Sequence, residues 1–265
     1  MKPVTRYLIP ALMGLFALQS PDAGAASTIY LPNYSGKSVT TPVAWGASNN
    51  VIFMGVGGTT PSTYSNASDG AAELGIGLGD PRKNLGVQIS VVSIDLSQWN
   101  KYSSNYHIFR DLGNANAIGV GVENVFLTTG VNGGDAGKSY YVVYSQSVQA
   151  ESFVDKTNDG SANHYSKLHY SVGAGTGRFG DKSPMDIAKG KSAHGTYIFG
   201  NIAYDVANGL NVITDWNGLN LNAGLSKTFR FANIPIAATI GAADLTSNSG
   251  DRVRFVIAVG TGFKL

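Results

Sequence analysis

The stretch Arg252-Val253-Arg254-Phe255-Val256-Ile257-Ala258-Val259-Gly260-Thr261-Gly262-Phe263-Lys264-Leu265 closes the chain and decides how the rest is read. Taken alternately it splits into two rows. Val253, Phe255, Ile257, Val259, Thr261, Phe263 and Leu265 form an apolar row; Arg252, Arg254, Val256, Ala258, Gly260, Gly262 and Lys264 form a small or charged one. Successive side chains of a strand point to opposite faces, so this is a β-ribbon with one greasy face. Two architectures use such a ribbon. A soluble sandwich turns the greasy face to a core, and a membrane barrel turns it to lipid with the small and polar row inside.

The same two-row pattern recurs upstream. Asn50 to Gly57 groups Ile52, Met54 and Val56, and Ala71 to Gly79 sets Leu74, Ile76 and Leu78 against Glu73, Gly75, Gly77 and Gly79. Leu85 to Leu96 runs through Leu85, Val87, Ile89 and Val91 and then slips phase to Val92, Ile94 and Leu96, which predicts a bulge. Ala117 to Leu127 opposes Ile118, Val120, Val122 and Phe126 to Gly119, Gly121 and Glu123, and Tyr165 to Gly175 opposes Leu168, Tyr170, Val172 and Ala174 to Lys167, His169, Ser171 and Gly173. Tyr106 to Leu112 is a weaker segment, and Ser139 to Val148 is apolar on both faces at its start. Thr196 to Val206, Leu210 to Trp216, Leu219 to Ser226 and Ile234 to Leu245 complete the series, with Asn208-Gly209 and Asn217-Gly218 as hairpin signals. The reading is an all-β fold: a single antiparallel up-and-down transmembrane β-barrel of about 12 strands, within a range of 10–14. Long connections at 58–70, 97–103, 128–137, 176–194 and 246–251 fall on one side, and short ones at 80–84, 113–114, 208–209 and 230–233 on the other. The long 151–163 and the short 217–218 break the rule.

Composition agrees. Charged residues are 14% of the chain, Gly accounts for 34 of 265 residues, and the formal net charge is +2 without a run of one sign. Nucleic acid as a main partner needs a clustered basic face, which is missing. The absence of cysteine excludes disulfides, thiolate metal sites and a lipidated N-terminal cysteine. Residues 1–25 read as a signal peptide: Lys2 and Arg6, then the apolar run Tyr7 to Leu18, then Ala23-Gly24-Ala25 as the cleavage pattern. Residues 26–47, with Pro32 and Pro42, read as an extended lead, either a tail or a plug inside the barrel, and residues 48–265 as the barrel.

Motifs of soluble chemistry fail on context. Gly175-Thr176-Gly177-Arg178-Phe179-Gly180 has the letters of a dinucleotide loop but runs into Asp181-Lys182-Ser183-Pro184 instead of a helix in a βαβ unit. Gly137-Lys138-Ser139 lacks the leading glycine of a phosphate loop. His107, His164, His169 and His194 show no helical metal spacing, and no spacing selects one Ser–His–acid set. No catalytic residue, metal or cofactor is therefore assigned. Glu73, Glu123, Lys167, His169, Asp205, Asp215, Arg252 and Arg254 lie on small or polar rows. An Arg or Lys on the lipid face near the midplane costs ~2–4 kcal/mol, so these eight are the candidates for lining the lumen. Side chains paired across a narrow lumen, rather than a selective channel, are the favoured arrangement. Met185 to Lys191 is expected to form one helical turn in a loop. Trp45, Trp99, Tyr102, Tyr106, Tyr140 and Trp216 are candidates for interface girdles.

The hairpin Asp215-Trp216-Asn217-Gly218-Leu219-Asn220-Leu221-Asn222-Ala223-Gly224-Leu225, with Ile240-Gly241-Ala242-Ala243-Asp244-Leu245, resembles barrel proteins of the Gram-negative outer membrane, in particular those associated with exopolysaccharide export. The terminal strand resembles the one by which such barrels are recognised for assembly, with Leu265 in place of the usual final aromatic and Phe263 two positions earlier. The resemblance implies the outer membrane as location. The implied partners are outer-membrane lipid, the barrel-assembly machinery and, as ligand, polysaccharide or small solutes. Three functions are carried forward: a porin-like or structural, export-associated barrel that is not an enzyme; a secreted soluble β-sandwich of adhesin type; and a lipid-modifying barrel enzyme.

Overall fold

The computed structural model describes residues 35–62, 67–94, 96, 99, 101–128, 136–148, 153–155, 163–165, 167–207, 209–231, 234–250 and 252–265. The expected signal peptide and its cleavage point near Ala25 lie outside them, as do the first residues of the lead and the His164 side chain. Twelve strands close into one antiparallel barrel. They are β1 (Val51–Thr60), β2 (Asp69–Leu78), β3 (Gly86–Ser93), β4 (Tyr102–Gly113), β5 (Asn116–Val125), β6 (Ser139–Val148), β9 (Leu168–Gly175), β10 (Ile198–Ala207), β11 (Leu210–Trp216), β12 (Leu221–Phe231), β13 (Ile234–Ala243) and β14 (Arg254–Lys264). Two short strands, β7 (Phe153–Asp155) and β8 (Asn163–Tyr165), form a separate hairpin in the β6–β9 connection. Closure is by β1 on β14, paired without a break from Val51 opposite Lys264 to Thr60 opposite Phe255.

Register fixes the faces, because directly opposed residues share one. Gly55 faces Gly260 and Glu73, so the small row of the final ribbon points inward. The apolar row points out: Leu74, Ile118, Val172, Ile202, Leu225 and Phe255 are 43–57% exposed, on strands all round the barrel. Among the described residues no second sheet covers this belt, and the strands close on themselves, so the two-layer sandwich is overturned. An apolar belt of this extent is a surface made for lipid rather than water.

Both chain ends of the barrel lie at one mouth, the near side, where the Leu265 amide donates to the Asn50 carbonyl at 3.0 Å. Near-side connections are 79–85, 114–115, 149–167, 208–209 and 232–233; far-side ones are 61–68, 94–101, 126–138, 176–197, 217–220 and 244–253. The long 151–163 segment is thus a near-side excursion carrying β7 and β8, and the strand count stays at twelve. Three local expectations change. The bulge in β3 is absent: Val92 continues the inward row opposite Glu73, and register shifts occur instead in the β4–β5 and β10–β11 pairs. β4 is twelve residues long despite its weak apolar pattern, because its inward row is Ser103, Asn105, His107 and Phe109. Leu219 is buried in a four-residue turn in which Asn217 Oδ1 accepts from the amides of Leu219 and Asn220 at 2.9 and 2.8 Å.

Tyr102, Tyr140 and Trp216 sit at far-side strand ends and Trp99 in the far-side 94–101 connection, with the Trp216 indole N–H donated to Thr196 Oγ1 at 3.0 Å, whereas Tyr106 lies within β4 opposite Ile89, away from the strand ends a girdle needs. Trp45 belongs to no girdle. It lies inside the barrel, its ring edge-on to His169 with centroids 6.4 Å apart. The packed core is lumenal: Ala44, Ala117, Val143, Phe179 and Phe199 bury one another, with Trp45 and Tyr141 against them. It combines the inner rows of β5, β6 and β10 with residues from the chain ahead of β1 and from a far-side loop.

The approach of that leading segment to β2 is tight enough to test. A Cβ on Gly77 would lie 2.0 Å from the Ala47 carbonyl carbon and 2.2 Å from the Ser48 nitrogen, both backbone atoms. On Gly55 it would meet nothing nearer than 3.4 Å. Gly77→Ala is therefore expected to destabilise by about 1–3 kcal/mol through overpacking, with Gly55→Ala close to neutral. The check is the temperature at which the folded, faster-running gel band is lost.

Candidate functional site: the plugged lumen

Residues 35–50 occupy the lumen. From Asn50 at the near mouth the chain climbs past β2, β4 and β6, reaches the far third at Thr40, and descends towards β11 and β12. An extended segment inside a barrel has no ladder partners, so its backbone groups need side-chain ones. The inner rows supply them. Gln88 Oε1 accepts from the Ala47 amide at 2.7 Å and Ser145 Oγ from the Ala44 amide at 2.8 Å. His107 Nε2 meets the Ala44 carbonyl at 2.9 Å and its Nδ1 meets the Tyr141 hydroxyl at 2.9 Å. A carbonyl only accepts, so in the neutral ring the proton is on Nε2 and Tyr141 donates to Nδ1. His107 is stacked between Phe109 and Tyr141, at centroid distances of 5.4 and 5.7 Å.

At the top of the climb Asp215 gathers the segment. Its Oδ2 accepts from the Val39 and Thr40 amides, both at 2.8 Å, and from Ser38 Oγ at 3.2 Å; its Oδ1 accepts from Thr40 Oγ1 at 3.0 Å and from Asn222 Nδ2 at 2.6 Å. Asn201 Nδ2 donates to Thr41 Oγ1 at 3.0 Å. On the way down, Lys37 Nζ donates to Asn211 Oδ1, and Ser226 Oγ donates to the Gly36 carbonyl.

The 176–197 connection folds into the far mouth. Gly177–Phe179 forms a 3-10 turn, entered through Gly177 at φ +60, that drops Phe179 into the lumen to stack on Phe199 at 4.4 Å. Arg178 then reaches inward, donating from Nη2 to Glu123 Oε1 at 2.9 Å, from Nε to Glu123 Oε2, and from Nη1 to the Thr40 carbonyl at 2.9 Å. One guanidinium thus ties the far loop, the barrel wall and the tip of the inserted segment. The letters that resembled a dinucleotide loop encode this latch.

A short helix in the same connection, α1 (Pro184–Ala188), is capped by Ser183, whose hydroxyl oxygen accepts from the Asp186 amide at 3.2 Å. Asp186 fastens it to the 244–253 connection, accepting from Ser249 Oγ at 2.7 Å and from the Gly250 amide at 2.8 Å, with Lys191 Nζ at 3.4 Å. Burial pushes its carboxyl pKa up, but the donors of Ser249, Gly250, Ser183 and Lys191 together pull it below the ordinary value. A folded pKa below the unfolded one gives a contribution that is whole above the ordinary carboxylate pKa of ~3.9 and lost as pH falls through the depressed value. The expected result is that the Gly250 amide, corrected for intrinsic exchange, keeps its protection down to about pH 4 and loses it below. In Asp186→Asn it is weaker and flat with pH.

Of the residues singled out from sequence, Glu73, Glu123, Asp205, Asp215, His169 and Arg254 occupy inner-row positions of their strands. Glu123 holds Arg178, and Asp215 holds the inserted segment. Arg254 pairs with Asp244 and donates to Thr59 Oγ1 at 3.1 Å. His169 Nδ1 lies 2.6 Å from Ser147 Oγ. Asp205 is buried near Lys37, its Oδ1 without a hydrogen-bond partner among the described residues. Lys167 immediately precedes β9 and its carbonyl accepts from the Asp205 amide at 2.7 Å. Arg252 lies ahead of β14 in the far-side connection, exposed. Ser147 and His169 are both buried on the lumenal face, away from any phospholipid of a surrounding bilayer. At the far rim His194, Tyr197 and Asp181 form an exposed cluster, Tyr197 Oη lying 2.6 Å from both His194 Nδ1 and Asp181 Oδ1.

No family model and no curated protein matches this sequence. Among solved structures the chain is similar to outer membrane phospholipase A from Escherichia coli, at 9% identity and a TM-score of 0.44, over 81% of this chain and 96% of that one. It is similar to the Salmonella typhi outer membrane phospholipase dimer with bound calcium, at 9% identity and a TM-score of 0.42, over 81% and 91%. An active-site mutant of the Escherichia coli protein aligns at 9% identity and a TM-score of 0.42, over 93% and 95%. At these values the likeness is one of architecture and gives no residue of this chain a role.

Proposed function

We propose that this chain is an outer-membrane barrel of a Gram-negative cell that carries its own stopper: a porin-like passage for small solutes, closed at rest by residues 35–47. The observation that carries this reading is the set of inner-row side chains, Gln88, Ser145, Asn211 and Asp215, each bonded to the inserted segment. Side chains that filled the barrel merely for stability would not need to satisfy the backbone of a separate, tethered segment. The apolar outer belt supports lipid as the surroundings, and the final strand, with its outward Phe263 and Leu265, supports recognition by the barrel-assembly machinery.

Planar-bilayer conductance tests the reading. The full chain is expected to give no steady current, and the same chain without residues 35–47 a stable one, with folding of both verified by heat-modifiable gel mobility. Equal steady currents from the two proteins contradict the stopper. Recovery of the protein in aqueous buffer without detergent contradicts the membrane.

A further inference from the structure

The inserted segment does not fill the lumen evenly. It packs against Gly77 of β2, Gln88 of β3 and the inner faces of β4–β6 and β9–β12, and leaves a cavity of about 580 Å³ bordered by β1, the rest of β2, β13 and β14. The reason is in the inner rows there. Gly55, Gly57, Ala237, Ala258 and Gly260 project almost nothing into the space. A concave, mostly apolar volume of this size with a few polar groups has the form of a small-molecule site.

Its polar feature is Glu73. Asn105 lines the cavity beside it, and Ser90 and Asn105 are the polar neighbours of its carboxylate. The Ser90 hydroxyl is buried and makes no well-formed hydrogen bond of its own among the described residues. Glu123, the other lumenal carboxylate that Glu73 feels, is neutralised by Arg178, whereas Glu73 has no ion pair among the described residues. Lys37 also borders the cavity, but its ammonium is turned to Asn211 on β11. Two aromatic rings complete the wall: Trp45 on the inserted segment, and Phe53, whose ring lies over Gly75 two residues from Glu73. A half-buried carboxylate on a mostly apolar wall, without an ion pair among the described residues, calls for a compensating cation, and aromatic faces favour an organic one.

We propose that this cavity binds a small organic cation, a protonated amine with a short apolar body, its ammonium on Glu73 and its body between Trp45, Phe53 and the Gly–Ala wall. The proposal depends on the inserted segment as the fourth wall, not on conductance or cellular location, so it stands or falls separately from the reading above.

The test uses the full chain purified in detergent and calorimetric titration with n-propylammonium, with n-propanol and propionate as size-matched controls. Saturable binding of propylammonium alone is expected, weakened at least tenfold by Glu73→Gln. Ala258→Phe, which fills the cavity without touching the carboxylate, is expected to abolish it. Folding of each variant is checked by heat-modifiable mobility, and either variant suffices if the other does not fold. Absent binding, equal binding of propanol, or affinity unchanged in Glu73→Gln or Ala258→Phe overturns the proposal.

Discussion

Asp215→Ala releases the inserted segment while leaving the barrel closed. The carboxylate accepts two backbone amides and two hydroxyls of residues 38–40, and its loss strands the Val39 and Thr40 N–H groups in the interior. An unsatisfied buried donor costs about 1–3 kcal/mol, and hydrogen bonds to a charged acceptor are the stronger kind. Two such donors put the loss of docking free energy at about 3–4 kcal/mol, or roughly a 150- to 1,000-fold fall in exchange protection at Val39 and Thr40. The strands should keep theirs, since Asp215 adds nothing to the backbone pairing of β11 with β10 and β12. Asp215→Asn keeps an acceptor oxygen and should fall between. Hydrogen exchange read by mass spectrometry on residues 36–47 and on β11 decides the matter. Uniform loss across both would mean that Asp215 holds the barrel rather than the stopper.

Arg178→Met is expected to have the next largest effect, and it should be felt in two places. Removing one partner of a buried ion pair typically costs 3–5 kcal/mol. Here the side chains of Arg178 and Glu123 remain 26% and 19% exposed, so solvent screening lowers the expectation to about 2–3 kcal/mol. Arg178 also donates to the Thr40 carbonyl, so its loss should raise exchange in 176–181 and in 38–41 together. Glu123→Gln leaves that second contact in place and should loosen the loop far more than the segment. Should the two variants give the same pattern, the guanidinium is not the link between loop and stopper.

The barrel wall was open to reading from sequence because a period of two survives any curvature of the sheet. Leu74 and Glu73 fall on opposite faces whatever the barrel's radius, and the same parity brought Glu123 and Asp215 to the lumen. The contents of the lumen were another matter. The segment around Pro42 has no period, and its partners lie far along the chain: Val39 and Asp215 are 176 positions apart. Its density of donors, Ser38-Val39-Thr40-Thr41, was the available sign of a segment meant to be held by acceptors. Arg178 was hidden in a glycine-rich string whose letters suggested phosphate. Trp45 reads as a girdle residue because an indole just ahead of a strand looks the same whether the chain next turns to the interface or into the barrel. β4 looked weak for a related reason: its inward Asn105 and His107 serve the interior, so an apolar pattern on both faces was never required.

The path of the inserted segment has a consequence for assembly. Followed back from Asn50 to Ser35, it rises from the near mouth, bends at Thr40 and turns down again beside β11 and β12. The hoop of strands can therefore close before the bend is set, because the bend is held by the Asp215 and Arg178 side chains while β1 pairs with β14 independently of it.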